Sequence, residues 1–141
     1  MIWYLDTSLL VAALTKEAKT GLAQSWLGER SADDMLVSDW VGAEFSAALS
    51  IKLRNNSITE AHRGQSLDGY SQLCADSFIV LPVTRREFHL AAAFADRSAL
   101  GLRGGDALHL AICAGQNATL CTLDRRLSEA GPILGVATLF L

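Results

Sequence analysis

Ile2-Trp3-Tyr4-Leu5-Asp6-Thr7-Ser8-Leu9-Leu10-Val11-Ala12-Ala13-Leu14 is the stretch that decides the fold. Its first four residues are apolar without alternation and end at an acid. That is the pattern of a short strand covered on both faces. Thr7 and Ser8 then offer capping hydroxyls before the longer apolar run Leu9–Leu14, which reads as a helix.

The same strand-then-helix pattern recurs along the chain. Further strands are read at Met35–Ser38, Phe78–Val83, Ala118–Leu123 and Val136–Leu141. Further helices are read at Ala18–Leu27, Asp39–Arg54, Thr59–Ser77, Arg86–Leu100, Gly105–Ala114 and Arg125–Ala130. Asn55-Asn56, Gly101 and Gly115 supply stops for three of them. Strands that are apolar throughout and alternate with helices predict a three-layer α/β/α fold with a central, mostly parallel sheet. No linker, repeat or low-complexity segment interrupts the 141 residues, which predicts a single domain over 1–141.

Composition narrows the function classes. Half the residues are apolar (50%) and only 19% are charged, which excludes a disordered chain. No apolar run approaches the ~18 residues of a membrane span. The start reaches Asp6 with no basic segment before it, so neither a signal peptide nor a membrane association is expected. Cys74, Cys113 and Cys121 are odd in number and lack a C-x-x-C, which points to a reducing cytoplasm rather than to disulfides or zinc. With a net charge of −3, binding to a polyanion requires a local basic patch or a bound cation.

In a parallel sheet, ligands collect at the carboxyl ends of the strands. Asp6 and Asp124 follow two of the strands there, Asp106 opens a helix after Gly104-Gly105, and Glu44 lies within Asp39–Arg54. The helical neighbours of Glu44 are Trp40, Val41, Ala48 and Ile51, all apolar. A carboxylate on such a stripe needs a partner or a metal, unless it sits at the stripe's edge and reaches water or an arginine. Taken singly, Asp6 and Asp124 also read as helix caps, and Asp106 as a charge favoured by a helix N-terminus. Together in one crevice the four would repel. One pair of unit charges 4 Å apart costs about 4 kcal/mol at an effective dielectric near 20, against a total stability of about 5–15 kcal/mol. Such a cluster calls for protonation or a divalent cation, and oxygen donors select Mg²⁺, with Mn²⁺ as a substitute.

Other catalytic patterns are missing: no phosphate-binding G-x-x-x-x-G-K-[ST], no G-x-G-x-x-G and no G-x-S-x-G. An aspartyl-phosphate phosphatase would want a second acid where Ser8 stands, and a receiver domain would want a late lysine, but none follows Lys52. Arg125 and Arg126, next to Asp124, are candidate ligands for substrate phosphate, with Arg103, Arg97, Arg54 and Lys52 as further cations. Trp3, Trp26 and Trp40 suit base stacking in principle, but their apolar spacing favours core or dimer packing. His109, three residues after Asp106, suits a supporting or basic role, but a lone helical histidine is more often structural. It is therefore left outside the catalytic set.

Four segments in order, Leu5-Asp6-Thr7-Ser8, Val41-Gly42-Ala43-Glu44, Gly105-Asp106-Ala107-Leu108-His109-Leu110-Ala111 and Thr122-Leu123-Asp124-Arg125-Arg126-Leu127, resemble the PIN-domain family of nucleases. The likeness is strongest to the VapC-like ribonuclease toxins of type II toxin–antitoxin systems and spans nearly the whole chain. It implies that Asp6, Glu44, Asp106 and Asp124 are the catalytic, metal-binding acids, with Thr7, Ser8 and Thr122 as nearby hydroxyls. It also implies Mg²⁺-dependent endoribonuclease action on single-stranded RNA, a homodimer, and an antitoxin whose tail fills the active groove. The chemistry expected is in-line attack by metal-activated water, leaving 5′-phosphate and 3′-hydroxyl ends. The alternative is a catalytically silent PIN-like module that binds RNA or protein.

Overall fold

The computed structural model describes residues 1–141. Five strands alternate with seven helices: β1 (Trp3–Leu5), α1 (Thr7–Leu14), α2 (Thr20–Gly28), β2 (Met35–Ser38), α3 (Asp39–Arg54), α4 (Glu60–Asp76), β3 (Ile79–Leu81), α5 (Arg85–Ala95), α6 (Gly104–Gln116), β4 (Thr119–Thr122), α7 (Arg125–Ile133) and β5 (Thr138–Phe140). The strands form one sheet in the order β3-β2-β1-β4-β5. Every neighbouring pair is parallel, so the sheet expected to be mostly parallel is wholly so.

This order has one topological switch. The chain leaves β1 toward β2 and β3, then returns past β1 to β4 and β5. Parallel connections are almost always right-handed, so the reversal sends α1–α4 to one face and α5–α7 to the other. Consistently, α1 packs on α2, α3 and α4, while α5 packs on α6. The crevice at the carboxyl ends of β1 and β4 is where an open sheet of this kind binds ligands. Tyr4, Leu5, Val37, Leu120 and Cys121 are fully buried, as two covered sheet faces require.

Element boundaries differ from the sequence reading where a local bond intervenes. Strand β3 stops before Pro82, which has no N–H for the ladder. Helix α5 ends at Ala95 rather than at Leu100; a single 3₁₀ turn over Ser98–Leu100 and Gly101 at φ +62° reverse the chain instead. Helix α7 runs through Pro132, past the expected stop at Ala130. Pro132 cannot donate to the Ser128 carbonyl, and Thr138 Oγ1 donates to it at 2.7 Å in its place. Val136 belongs to the turn after α7, its N–H bonded to the Gly131 carbonyl at 2.9 Å, so β5 starts later than expected. No helix is long and apolar enough to cross a membrane.

Candidate metal centre

Apart from Ser66, every buried polar residue belongs to one cluster: Asp6, Thr7, Ser38, His109 and Thr122. Burying polar groups is unfavourable unless they are paired, so their concentration at one end of the sheet marks the site.

Asp6 stands at the end of β1, where its N–H donates to the Cys121 carbonyl at 3.0 Å and fixes it against β4. It occupies the N-cap position of α1, yet its side chain caps nothing. Instead Oδ2 accepts from Ser8 Oγ at 2.6 Å and from Thr122 Oγ1 at 2.7 Å. These hydroxyls are tied in turn: Ser8 Oγ accepts from the Leu123 N–H at 3.1 Å, and Thr122 Oγ1 from the Asp124 N–H at 3.0 Å. One carboxylate oxygen is thereby pinned, while Oδ1 faces His109 Nε2 at 3.5 Å.

Glu44 is divided in the same way. Its Oε1 accepts from Thr7 Oγ1 at 2.7 Å and meets His109 Nε2. Its Oε2 lies beside Gly105, where an added Cβ would approach to 3.2 Å. Glu44, Asp106 and Asp124 line an open pocket of about 590 Å³, together with Trp40, Gly101, Arg103, Gly105 and Arg126. Asp6, Glu44 and His109 each bring one ligand atom within 4.8 Å of the others.

The fields in the pocket agree with this crowding. Burial raises the Asp106 carboxyl above its ordinary range, and the charges of Asp6, Asp124 and Glu44 raise it further, against the opposing pull of His109. Burial also works to raise Glu44, but the hydrogen bond and charge of His109 and the Thr7 hydroxyl outweigh it and hold Glu44 low. For His109, burial works against the charged ring, and the hydrogen bond it donates to Glu44 with the charges of Asp6, Glu44 and Asp106 overcomes it, raising its pKa. Asp106 thus carries the unrelieved repulsion. Such a set of oxygen donors with uncompensated charge fits a divalent cation, and hard O-donors fit Mg²⁺ or Mn²⁺.

The structure brings together all four acids singled out in the sequence, and Thr7, Ser8 and Thr122 all touch one of them. Asp124 also keeps its cap role, Oδ1 accepting from the Leu127 N–H at 3.3 Å. The arginines divide: Arg126 lines the pocket, joined by Arg103, whereas Arg125 turns its guanidinium over the Phe140 ring, 4.7 Å from the centroid. Trp3 and Trp26 pack edge to face at 5.2 Å, and only Trp40 reaches the acids. Three residues around the acids were not among the expected site residues. His109, left outside the catalytic set, is fully buried among the acids. Its signal was an ionisable ring within Ala107–Cys113, where all other residues are apolar. Tyr4 and Ser38 gave no signal, since a strand tyrosine and a cap serine have ordinary readings.

Comparison with known proteins gives the same outline. The family model described as the PIN domain matches residues 3–131. No curated protein matches the sequence. Among solved structures, VapC20 of Mycobacterium tuberculosis, described as a sarcin-ricin loop cleaving toxin, is 17% identical, covers 92% of this chain and 95% of its own, and superposes with a TM-score of 0.77. FitAcB from Neisseria gonorrhoeae is 16% identical, with 99% of this chain and 97% of that one covered and a TM-score of 0.72. VapBC2 from Rickettsia felis, bound to a DNA fragment from its promoter, is 17% identical over 100% of this chain and 99% of that one, with a TM-score of 0.69.

Proposed function

Because this chain belongs to the PIN-domain family, and because its carboxylates converge at the sheet's switch point, we propose that it is a metal-dependent endoribonuclease, the toxin of a type II toxin–antitoxin pair. The substrate is single-stranded RNA, the ion Mg²⁺ with Mn²⁺ as substitute, and the working form a cytoplasmic homodimer of one-domain chains spanning 1–141. A cognate antitoxin is the protein partner. Solved neighbours that are complexes support that partner: a toxin–antitoxin complex from Klebsiella pneumoniae has a TM-score of 0.61 at 14% identity.

The observation that carries the reading is the division of the two inner carboxylates. Asp6 Oδ2 is held by two hydroxyls and Glu44 Oε1 by one hydroxyl and His109, which leaves Glu44 Oε2 open and Asp6 Oδ1 with only the 3.5 Å approach of His109. Asp6 and Asp106 are assigned as direct ligands, and Glu44 and Asp124 as holders of coordinated water or a second ion. When bound, a divalent cation supplies charge neutralisation at the phosphoryl oxygens and a water of lowered pKa. Arg126 and Arg103, at the pocket rim, offer forked donors to the flanking phosphates. Trp40, the one apolar side chain lining the pocket, offers a face to a base.

The test is cleavage of a labelled single-stranded RNA during Mg²⁺ titration, with and without chelator. Chelator-sensitive cutting that Asp6→Asn abolishes supports the nuclease. Binding without cutting at saturating Mg²⁺ would replace it with the silent RNA-binding module.

A further inference from the structure

His109 has both ring nitrogens engaged, on a helix segment, Ala107–Cys113, whose other residues are apolar. Nε2 meets Glu44 Oε1 and lies 3.5 Å from Asp6 Oδ1, while Nδ1 lies 2.9 Å from the Tyr4 hydroxyl. The Tyr4 hydroxyl in turn lies 2.7 Å from Ser38 Oγ, and Ser38 accepts from the Val41 N–H at 3.4 Å. Tyr4, Ser38 and His109 are all fully buried. The chain of contacts therefore runs from the first turn of α3, through the middle of the sheet, to the α6 histidine, and back to a carboxylate on α3.

One end of this buried chain closes on a backbone group, the Val41 N–H, but the other ends on Oε1 of Glu44, within reach of Asp6. We propose that His109, oriented by Tyr4 and Ser38, is a positioning residue: it clamps Glu44 by Oε1 so that Oε2 faces the pocket where a divalent cation is to bind. The proposal rests on the metal-centre reading above and adds to it a part that lies behind the acids.

Two details favour a clamp over a ligand. The Nε2 atom already has a carboxylate oxygen at hydrogen-bond contact. Its ring is fully buried, so an ion could reach Nε2 only by displacing the Glu44 carboxylate that already contacts it. The Tyr4 hydroxyl holds Nδ1 and thereby fixes the ring's rotation, the role outer partners play around metal sites. Because Thr7 also holds Oε1, loss of the clamp weakens the placement of Glu44 without freeing it.

The experiment measures Mn²⁺ and Mg²⁺ binding to the full chain by calorimetry for the parent, Glu44→Gln, His109→Leu, His109→Gln, Tyr4→Phe and the Tyr4→Phe/His109→Leu double variant. The chelated melting temperature of each is recorded alongside. His109→Leu should weaken Mn²⁺ binding by about 10–100-fold, the range for loss of an outer partner. His109→Gln, whose amide can donate from the position of Nε2, should restore most of it. Tyr4→Phe should weaken it severalfold, and the double variant no more than His109→Leu alone, because the two act through one contact. The ratio of Mn²⁺ to Mg²⁺ affinity should hold in all of them, since no ligand atom changes.

Parent-like Mn²⁺ affinity in His109→Leu, with Glu44→Gln impaired, overturns the clamp and leaves the metal centre standing. A fall in the Mn²⁺-to-Mg²⁺ ratio in His109→Leu also overturns it, by making His109 a nitrogen ligand. If His109→Leu does not fold, His109→Gln and Tyr4→Phe decide the matter, parent-like affinity in Tyr4→Phe counting against the proposal. A parent chain that binds neither ion overturns the metal-centre reading and the clamp with it.

Discussion

Replacing Asp106 by asparagine should stabilise the metal-free protein while abolishing cleavage. Asp106 is the acid whose carboxyl is pushed up, first by burial and then by the charges of Asp6, Asp124 and Glu44. The Asn amide keeps the shape and removes the charge. Asp106 is only half-buried, so solvent screens much of the repulsion, and relief of about 1 kcal/mol is the reasonable size. For 141 residues that corresponds to a rise in Tm of about 3 °C. The pH dependence follows from the direction of the shift. A carboxyl raised in the folded state binds more protons folded than unfolded, so stability falls as pH rises from its unfolded to its folded pKa. The advantage of Asp106→Asn is therefore full above the folded pKa and vanishes below the unfolded one. Divalent cation inverts the ranking. At 100 times its dissociation constant, a ligand stabilises the parent by about 2.7 kcal/mol, or ~8–9 °C, and the variant by much less. Calorimetry in chelator and in excess Mn²⁺, at neutral and acid pH, reads all of this. An Asp106→Asn protein less stable than the parent in chelator at neutral pH would falsify the repelling cluster.

Three further outcomes follow from single contacts. Thr122→Val removes the hydroxyl that donates to Asp6 Oδ2 and accepts from the Asp124 N–H; it should cost about 1–3 kcal/mol in thermal melts and reduce cleavage, and an unchanged Tm would show those bonds to be dispensable. Arg126→Ala should lower affinity for single-stranded RNA and reduce the salt dependence of binding by close to one counterion, whereas Arg125→Ala, whose guanidinium sits on Phe140, should leave that slope alone; equal slopes for both would refute the division. Gly105→Ala places a Cβ 3.1 Å from Trp40 Cζ2 and 3.2 Å from Glu44 Oε2, so cleavage should fall about tenfold or more while chelated Tm moves little, the gain in helix propensity of about 1 kcal/mol offsetting the crowding; parent-like cleavage would mean that Glu44 Oε2 has room to yield.

The strand-and-helix order was legible because burial on both faces leaves strands such as Met35–Ser38 apolar and bounded, and because a hydroxyl such as Thr59 opens a helix that it caps. The ends that moved did so for tertiary reasons. Helix α7 passes Pro132 only because Thr138, from the next strand, takes over the orphaned carbonyl. Glu44 was readable as a charge on a packing stripe, but the resolution of that conflict, a threonine from α1 and a histidine from α6, lies 37 and 65 residues away in sequence. Tyr4 was hidden for a related reason. In a strand pattern its ring counts as apolar, and nothing local shows that its hydroxyl meets His109 from the far side of the chain.

What unites acids from four distant segments is the reversal in strand order. With the order β3-β2-β1-β4-β5, β1 and β4 are neighbours whose onward connections depart to opposite faces, so the helices cannot close over the gap between them. Asp6 and Asp124 follow those two strands, and α3 and α6, approaching from the two sides, bring Glu44 and Asp106. A sheet wound in one direction only would bury or separate these positions. The same gap also explains why the hydroxyls matter. At an open strand end no backbone ladder orients a carboxylate, so Ser8 and Thr122 hold one oxygen of Asp6 and Thr7 one oxygen of Glu44.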